Sequence, residues 1–142
     1  MTKICITTRT RQKEQDKILF ARNLGVMLSA GLPLSRALSV MERQASSGKL
    51  ASVISEIASE VRRGTTLHQT LSKYPTTFPR LMTAMVHAGE EGGDLATALQ
   101  TASEQMERSL ELKKKISDYS ILLDVLRDPD TDDYMKILKF FQ

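Results

Sequence analysis

Five side chains that could do chemistry lie between residues 68 and 94: His68, His87, Glu90, Glu91 and Asp94. Glu90 and Asp94 are separated by a glycine-rich turn, and carboxylate oxygens on a flexible turn are ligands that Ca²⁺ prefers. One turn supplies too few oxygens, so a calcium site at Glu90 and Asp94 would need a second copy of the chain across a dimer contact. The alternative is that Asp94 caps the following helix while Glu90 and Glu91 lie in solvent.

The sequence shows no other catalytic or cofactor pattern. His68 and His87 have no Cys or carboxylate partners at a metal-site spacing such as HExxH. The chain has no GxxxxGK[ST] or GxGxxG phosphate-binding loop and no glycine-flanked serine nucleophile. We therefore expect a protein that is not an enzyme and that has no cofactor other than the calcium ion considered above.

The composition favours one soluble helical domain. Of the 142 residues, 41% are hydrophobic and only 5% are aromatic, so aliphatic side chains must build the core. Few aromatic and β-branched runs favour helices over sheets. The single Cys5 has no intrachain disulfide partner, which suits a reducing compartment. No apolar run approaches the roughly 18 residues that cross a bilayer, so the sequence predicts no transmembrane segment in this chain.

Apolar periodicity and turn residues predict an all-α fold. We expect a flexible N-terminal segment at residues 1–15, a six-helix antiparallel bundle at residues 16–117, and a divergent acidic tail at residues 118–142. The predicted helices cover approximately residues 16–30, 33–44, 50–63, 66–71, 79–88 and 94–117. The antiparallel arrangement is expected because short connections place successive helices side by side.

Residues at the helix ends predict how the helices begin and stop. Gly31 follows the first helix, where a left-handed residue commonly ends a helix, and Pro33 suits the first turn of the second. Thr66 and Gln69 form a capping-box pattern at the start of the fourth helix. Asp94 can cap the sixth helix.

Basic residues form two clusters, Arg62–Arg63 and Lys113–Lys114–Lys115, whereas residues 118–142 hold six Asp against three basic residues. A basic surface can bind an anionic membrane or a nucleic acid, and it can also be an ordinary solvated helix face. No aromatic residues interleave with the clusters for stacking on bases. We therefore expect no nucleic-acid partner. The alternative is a basic helical bundle that binds nucleic acid through these clusters.

Two signatures resemble those of one protein family. The run that begins at Phe20 and ends at Leu34 resembles the F-x-R-x-L-x-x-x-L-x-A-G-[LV]-[PS]-L opening of type II secretion F domains, and it contains Leu24, Leu28, Gly31 and Pro33. The second signature comprises Gly64, Leu71, Phe78, Pro79, Gly89, Gly93, Leu95 and Leu99. Order and spacing agree over about residues 17–117, so the chain is identified as a member of the type II secretion protein F domain family.

The resemblance implies a role in assembly. Family members are inner-membrane platform proteins of type II secretion or type IV pilus systems, with two related cytoplasmic six-helix domains, and this chain resembles the first. It implies a non-enzymatic scaffold on the cytoplasmic side of the bacterial inner membrane, coupling the assembly ATPase to pilin or pseudopilin polymerisation. The implied partners are that ATPase, other platform proteins, a second copy in a homodimer and, through the full-length protein, the membrane. Lys113, Lys114 and Lys115 would then lie next to the membrane.

The end of the chain departs from the family pattern. After Ile116 the family continues into a hydrophobic spanning helix, whereas this chain continues with Asp118 and an Asp-rich run at residues 128–133. Such a run could not lie in a bilayer. Short amphipathic helices are predicted at residues 121–126 and 135–141. This departure leaves open a free-standing helical adaptor or regulatory protein as a further alternative.

Overall fold

The computed structural model describes residues 2–45 and 48–127, including the side chains of residues 12–45, 48–120, 122 and 123. Within this part of the chain there are six helices and no strand. They are α1 (Thr2–Ser29), α2 (Leu34–Gln44), α3 (Lys49–Arg62), α4 (Leu67–Ser72), α5 (Arg80–Gly92) and α6 (Leu95–Arg127). The predicted all-α fold is confirmed, and the antiparallel arrangement stays a prediction.

The first helix is longer than predicted. Helix α1 begins at Thr2, so the predicted start of the first helix at residue 16 was wrong. The segment lacks an apolar period, but it also lacks Gly and Pro, and its Lys, Arg, Gln and Glu residues favour a helix intrinsically. The proposed domain boundaries after residues 15 and 117 stay predictions.

The last helix also continues past its predicted end. Helix α6 runs to Arg127, so Lys113, Lys114 and Lys115 lie inside the helix and do not end it. Lysine is a good helix former, and no Gly or Pro occurs between Leu95 and Pro129. The separate helix predicted at residues 121–126 is therefore part of α6. The helix predicted at residues 135–141 lies outside the described residues.

Two compact units divide the chain, residues 1–107 and residues 108–142. In the first unit, α2 packs on α1 and α3, and α4 packs on α3 and α5. Its core centres on Phe20 and Phe78, whose ring centroids are 5.5 Å apart at an interplanar angle of 41°. The largest fully buried apolar side chains are Phe20, Leu24, Leu38, Ile57, Leu67, Leu71, Phe78, Met82, Val86 and Leu99. The core is therefore mainly aliphatic, as the composition predicted.

The corner between α1 and α2 is built around Gly31, as predicted. Gly31 has a φ of 90°, in the left-handed region that favours glycine. Its amide donates to the Leu28 carbonyl at 3.0 Å, and the Leu32 amide donates to the Met27 carbonyl at 3.1 Å. This pair of bonds is a Schellman motif. Pro33 then precedes α2 in an extended conformation.

A tyrosine–carboxylate pair connects the turn after α4 to α3. The Tyr74 hydroxyl donates to Glu56 Oε2. This hydrogen bond, together with burial and the negative charges of Glu56 and Glu60, raises the pKa of Tyr74 to about 12. The folded chain therefore holds the phenolic proton more tightly than the unfolded chain, whose tyrosines titrate near pH 10, approximately the model-peptide value.

Replacing Tyr74 with Phe should flatten the alkaline pH dependence of stability. Because the folded pKa is raised, the pair stabilises the fold fully below about pH 10, and this contribution is lost as the pH rises through about 12. Tyr74→Phe removes the titrating group, so its free energy of unfolding should fall less steeply over that window than that of the wild type. Urea unfolding followed by circular dichroism at several pH values measures this. The exposed Tyr119→Phe variant is the control, and equal slopes for Tyr74→Phe and wild type would contradict the assignment.

Candidate functional site

The candidate site lies where α5 meets the start of α4, and Glu90 is at its centre. Glu90 Oε1 accepts a hydrogen bond from the Leu67 amide at 2.6 Å, and Oε2 accepts one from the His68 amide at 3.2 Å. The first amides of a helix have no intrahelical partner, and a carboxylate there also complements the positive end of the helix dipole. Glu90 therefore caps α4 from a different helix.

This cap replaces the one that the sequence predicted. Thr66 occupies the N-cap position of α4 but makes no side-chain capping hydrogen bond. Its hydroxyl is not needed, because the Glu90 carboxylate already accepts hydrogen bonds from the amides of Leu67 and His68. The prediction of a capping box at Thr66 and Gln69 was therefore wrong.

One histidine contacts the same carboxylate, and a second histidine packs against the ring of the first. His68 Nδ1 is 2.5 Å from Glu90 Oε2, and the His68 ring centroid is 4.1 Å from that of His87, with the rings tilted by 36°. His87 Nε2 is 3.3 Å from Glu91 Oε1. We call His68, His87, Glu90 and Glu91 the Glu90 cluster. The Glu90 side chain is only 18% exposed, so the expectation that it lies in solvent was wrong, whereas Glu91 is 73% exposed.

Helix spacing and one glycine explain how the Glu90 cluster forms. His87, Glu90 and Glu91 are three and four residues apart, so they share one face of α5. Gly89 is buried at the contact with α6, where an added Cβ would lie 2.4 Å from the Ala98 Cβ. Helix α5 can approach the start of α6 this closely only because residue 89 has no side chain. Gly89 therefore sets the position of the helix that carries Glu90.

Asp94 caps α6, as the sequence predicted. Its Oδ1 accepts a hydrogen bond from the Thr97 amide at 3.2 Å. The Glu90 carboxylate thus caps α4, and the Asp94 carboxylate caps α6. Within the described part of the chain, no group of three or more His, Cys, Asp or Glu side chains is arranged to hold a metal ion. Calcium bound by Glu90 and Asp94 across a dimer contact stays a prediction.

An open groove lies beside the Glu90 cluster, between α4 and α5. It is lined by His68, Ser72, Pro75, Phe78, Arg80, Thr83, Ala84 and His87. The Ser72 hydroxyl donates to the His68 carbonyl oxygen at 2.7 Å, which directs it to the backbone of α4. Apolar residues with polar and cationic groups around them are typical of surfaces that bind other proteins. We call this surface the α4–α5 groove; no sequence pattern predicted it.

The signature residues of the sequence mostly support the core. Phe20, Leu24, Leu71, Phe78 and Leu99 are buried, while Leu28 and Leu95 pack against the core from its edge. Pro79 precedes α5, and Gly64 and Gly93 end α3 and α5 with φ values of 98° and 74°. Lys113, Lys114 and Lys115 are exposed on α6 in the second unit. Within the first unit, the signature residues are therefore distributed between the core and the helix ends.

Among the described residues, no helix combines the length and the apolar character needed to cross a membrane.

Comparison with known proteins identifies the family. The family described as "Type II secretion system (T2SS), protein F" matches residues 20–121. The chain therefore belongs to the type II secretion system protein F family, as its two signatures predicted.

Individual relatives come from both pilus and secretion systems. The chain is 36% identical over 102 residues to the type IV pilus assembly protein PilC of Thermus thermophilus, a match that covers 72% of this chain and 25% of PilC. It is 36% identical over 99 residues to the type II secretion system protein F of Xanthomonas campestris pv. campestris, covering 70% and 24%. It is 33% identical over 104 residues to the type IV pilus assembly protein TapC of Aeromonas hydrophila, covering 73% and 25%. The chain thus spans about a quarter of the length of these relatives.

Proposed function

We propose that this chain is a cytoplasmic scaffold domain of an inner-membrane platform protein for type II secretion or type IV pilus assembly. Family membership over residues 20–121 is the observation that carries the proposal. The relatives are named for pilus assembly and for type II secretion, which supports a role in one of these machines. The domain couples the assembly ATPase to polymerisation of pilin or pseudopilin subunits through protein–protein contacts, and it catalyses no reaction itself.

The hydrogen bonds of the Glu90 cluster support a structural role for its residues and not a catalytic one. Both Glu90 oxygens accept hydrogen bonds from α4 amides, and His68 is held against the same carboxylate. These contacts connect α4 and α5 directly beside the α4–α5 groove. A groove whose two walls are fixed in this way suits a partner that binds a rigid surface, because little conformational entropy is lost on binding.

We place the contact with the assembly ATPase at the α4–α5 groove. The groove combines the exposed apolar side chains of Pro75 and Ala84 with the exposed Arg80, and the buried Phe78 lies beneath them. Arginine is enriched where proteins bind each other most strongly. Other platform proteins and a second copy of the chain are further partners in this proposal, as is calcium held by Glu90 and Asp94 between two copies.

Reversing the charge of Arg80 should weaken capture of the ATPase. The full chain, immobilised, is incubated with the purified assembly ATPase encoded in the same genome, and retained ATPase is quantified. Arg80→Glu should reduce retention at least tenfold, or about 1.4 kcal/mol, because the groove loses its arginine and gains a carboxylate. Arg36→Glu makes the same change at an exposed position in the first turn of α2 and should retain the ATPase. Failure of the wild type to retain ATPase contradicts the proposed partner, and equal retention by Arg80→Glu and wild type contradicts the proposed surface.

A further inference from the structure

Four exposed apolar side chains form a stripe along α6 in the second unit of the chain. Leu112, Ile116, Tyr119 and Leu123 are 59%, 60%, 66% and 66% exposed. Their spacing of four, three and four residues places them within an arc of about 60° on one side of the helix. A single exposed leucine is ordinary, but four exposed apolar side chains on one side of a helix mark a surface that binds another protein or a membrane.

Lysines border this stripe on both sides. Lys113 and Lys115 project about 90° and 70° to either side of its centre, whereas Lys114 projects about 170° away, on the opposite side of the helix. All three lysines are exposed. Residues 108–123 contain four basic and two acidic residues, and the acidic residues, Glu111 and Asp118, lie more than about 100° from the centre of the stripe. Lys113 and Lys115 are therefore the charged residues nearest to the apolar stripe within residues 108–123, and Glu111 and Asp118 lie farther from its centre.

A second copy of the chain and an anionic bilayer are the two surfaces that such a stripe could cover. Pairing with a second copy would place Lys113 and Lys115 beside the seam between two helices, where like charges repel. The stripe is also short, since a stable seam needs about three to four heptads. An anionic bilayer instead attracts both lysines, whose long stems let the ammonium groups reach the headgroups while the stripe inserts. Tyr119 is a residue type enriched at membrane interfaces.

We infer that residues 112–123 of α6 bind the surface of an anionic membrane, with the helix parallel to the bilayer plane. The apolar stripe lies at the boundary between headgroups and acyl chains, and Lys113 and Lys115 bind lipid phosphates on either side. This binding is peripheral and differs from the spanning helix that the family resemblance implies after Ile116. It goes beyond the proposed function, because it requires no ATPase and no other platform protein.

Vesicle sedimentation with the full chain tests this inference. Vesicles of phosphatidylcholine containing about one-third phosphatidylglycerol, to match an anionic leaflet, should bind the chain, and vesicles of phosphatidylcholine alone should not. The double variant Lys113→Gln and Lys115→Gln should bind about 25-fold more weakly, because each cation near the surface contributes about fivefold. The double variant Lys114→Gln and Arg36→Gln loses the same net charge and should bind within about threefold of wild type. Ile116→Asn replaces an apolar side chain of the stripe and keeps both lysines, so it should also weaken binding.

Circular dichroism of every variant confirms that its helix content is unchanged. Absence of binding to anionic vesicles, equal binding to both kinds of vesicle, or equal loss in the two double variants would each overturn the inference. A concentration-dependent dimer that Ile116→Asn abolishes, without vesicle binding, would assign the stripe to a second copy of the chain. Because the assay contains no ATPase, a negative result leaves the proposed function unaffected.

Discussion

Gly89→Ala should lower the free energy of unfolding by about 3 kcal/mol, at the upper end of the usual cost of overpacking a core. The added methyl group would lie 2.4 Å from the Ala98 Cβ, 3.2 Å from the Asp94 carbonyl oxygen and 3.3 Å from the Leu95 Cα. Two of these neighbours are backbone atoms at the α5–α6 junction, so the helices must separate to relieve the contact. The midpoint of thermal unfolding should fall by roughly 6–12 °C, at about 2–4 °C per kcal/mol for a chain of this size.

Gly92→Ala is a matched control for this prediction. Gly92 lies one turn later in α5, and a Cβ there has no neighbouring atom within 4 Å. Its substitution should leave stability unchanged or raise it by up to about 1 kcal/mol, because alanine favours a helix more than glycine does. Ala98→Gly in the Gly89→Ala background should recover part of the loss, since it removes the closest atom. Equal stability of Gly89→Ala and Gly92→Ala would contradict the close contact between α5 and α6.

Glu90→Ala should cost about 2–3 kcal/mol, the range for losing hydrogen bonds to a charged group that is partly buried. The change removes the acceptor for the Leu67 and His68 amides and leaves the first turn of α4 without a cap. It also removes the carboxylate that holds His68. Chemical unfolding gives the loss of free energy, and amide hydrogen exchange should show faster exchange at Leu67 and His68.

The neighbouring residue provides the control for the Glu90 prediction. Glu91 is 73% exposed and lies 3.3 Å from the exposed His87, so Glu91→Ala should change stability by less than about 0.5 kcal/mol. Glu90→Gln keeps the shape of the side chain and one acceptor oxygen. Its loss of free energy of unfolding should therefore lie between those of Glu91→Ala and Glu90→Ala. If Glu90→Ala and Glu91→Ala were equally stable, and exchange at Leu67 and His68 were unchanged, Glu90 would not be the cap of α4.

Features set by neighbouring residues could be predicted from the sequence. The corner at Gly31 and the cap at Asp94 each depend on residues within one helical turn, and both are present in the structure. The third helix was predicted from its apolar period, and Ile54 and Ile57, which lie on the apolar side of that helix, are buried. Family membership followed from the order and spacing of the residues in the two signatures.

Features that depend on distant residues could not be predicted in this way. Glu90 lies 23 residues from the Leu67 amide it caps, and no local pattern separates it from the exposed Glu91. The lengths of α1 and α6 were underestimated for another reason: a helix does not need an apolar stripe to continue, and neither end region contains the Gly or Pro that would stop it. The α4–α5 groove likewise exists only once two helices have packed.

The most direct test of the central proposal is an equilibrium titration of the fluorescently labelled full chain with the purified assembly ATPase. Saturable binding with a roughly micromolar Kd is expected, as for a modest protein interface. Arg80→Glu should weaken it at least tenfold, or about 1.4 kcal/mol, and Arg36→Glu should leave it unchanged. No saturable binding by a chain that circular dichroism shows to be folded would contradict a role as the scaffold domain to which the ATPase couples.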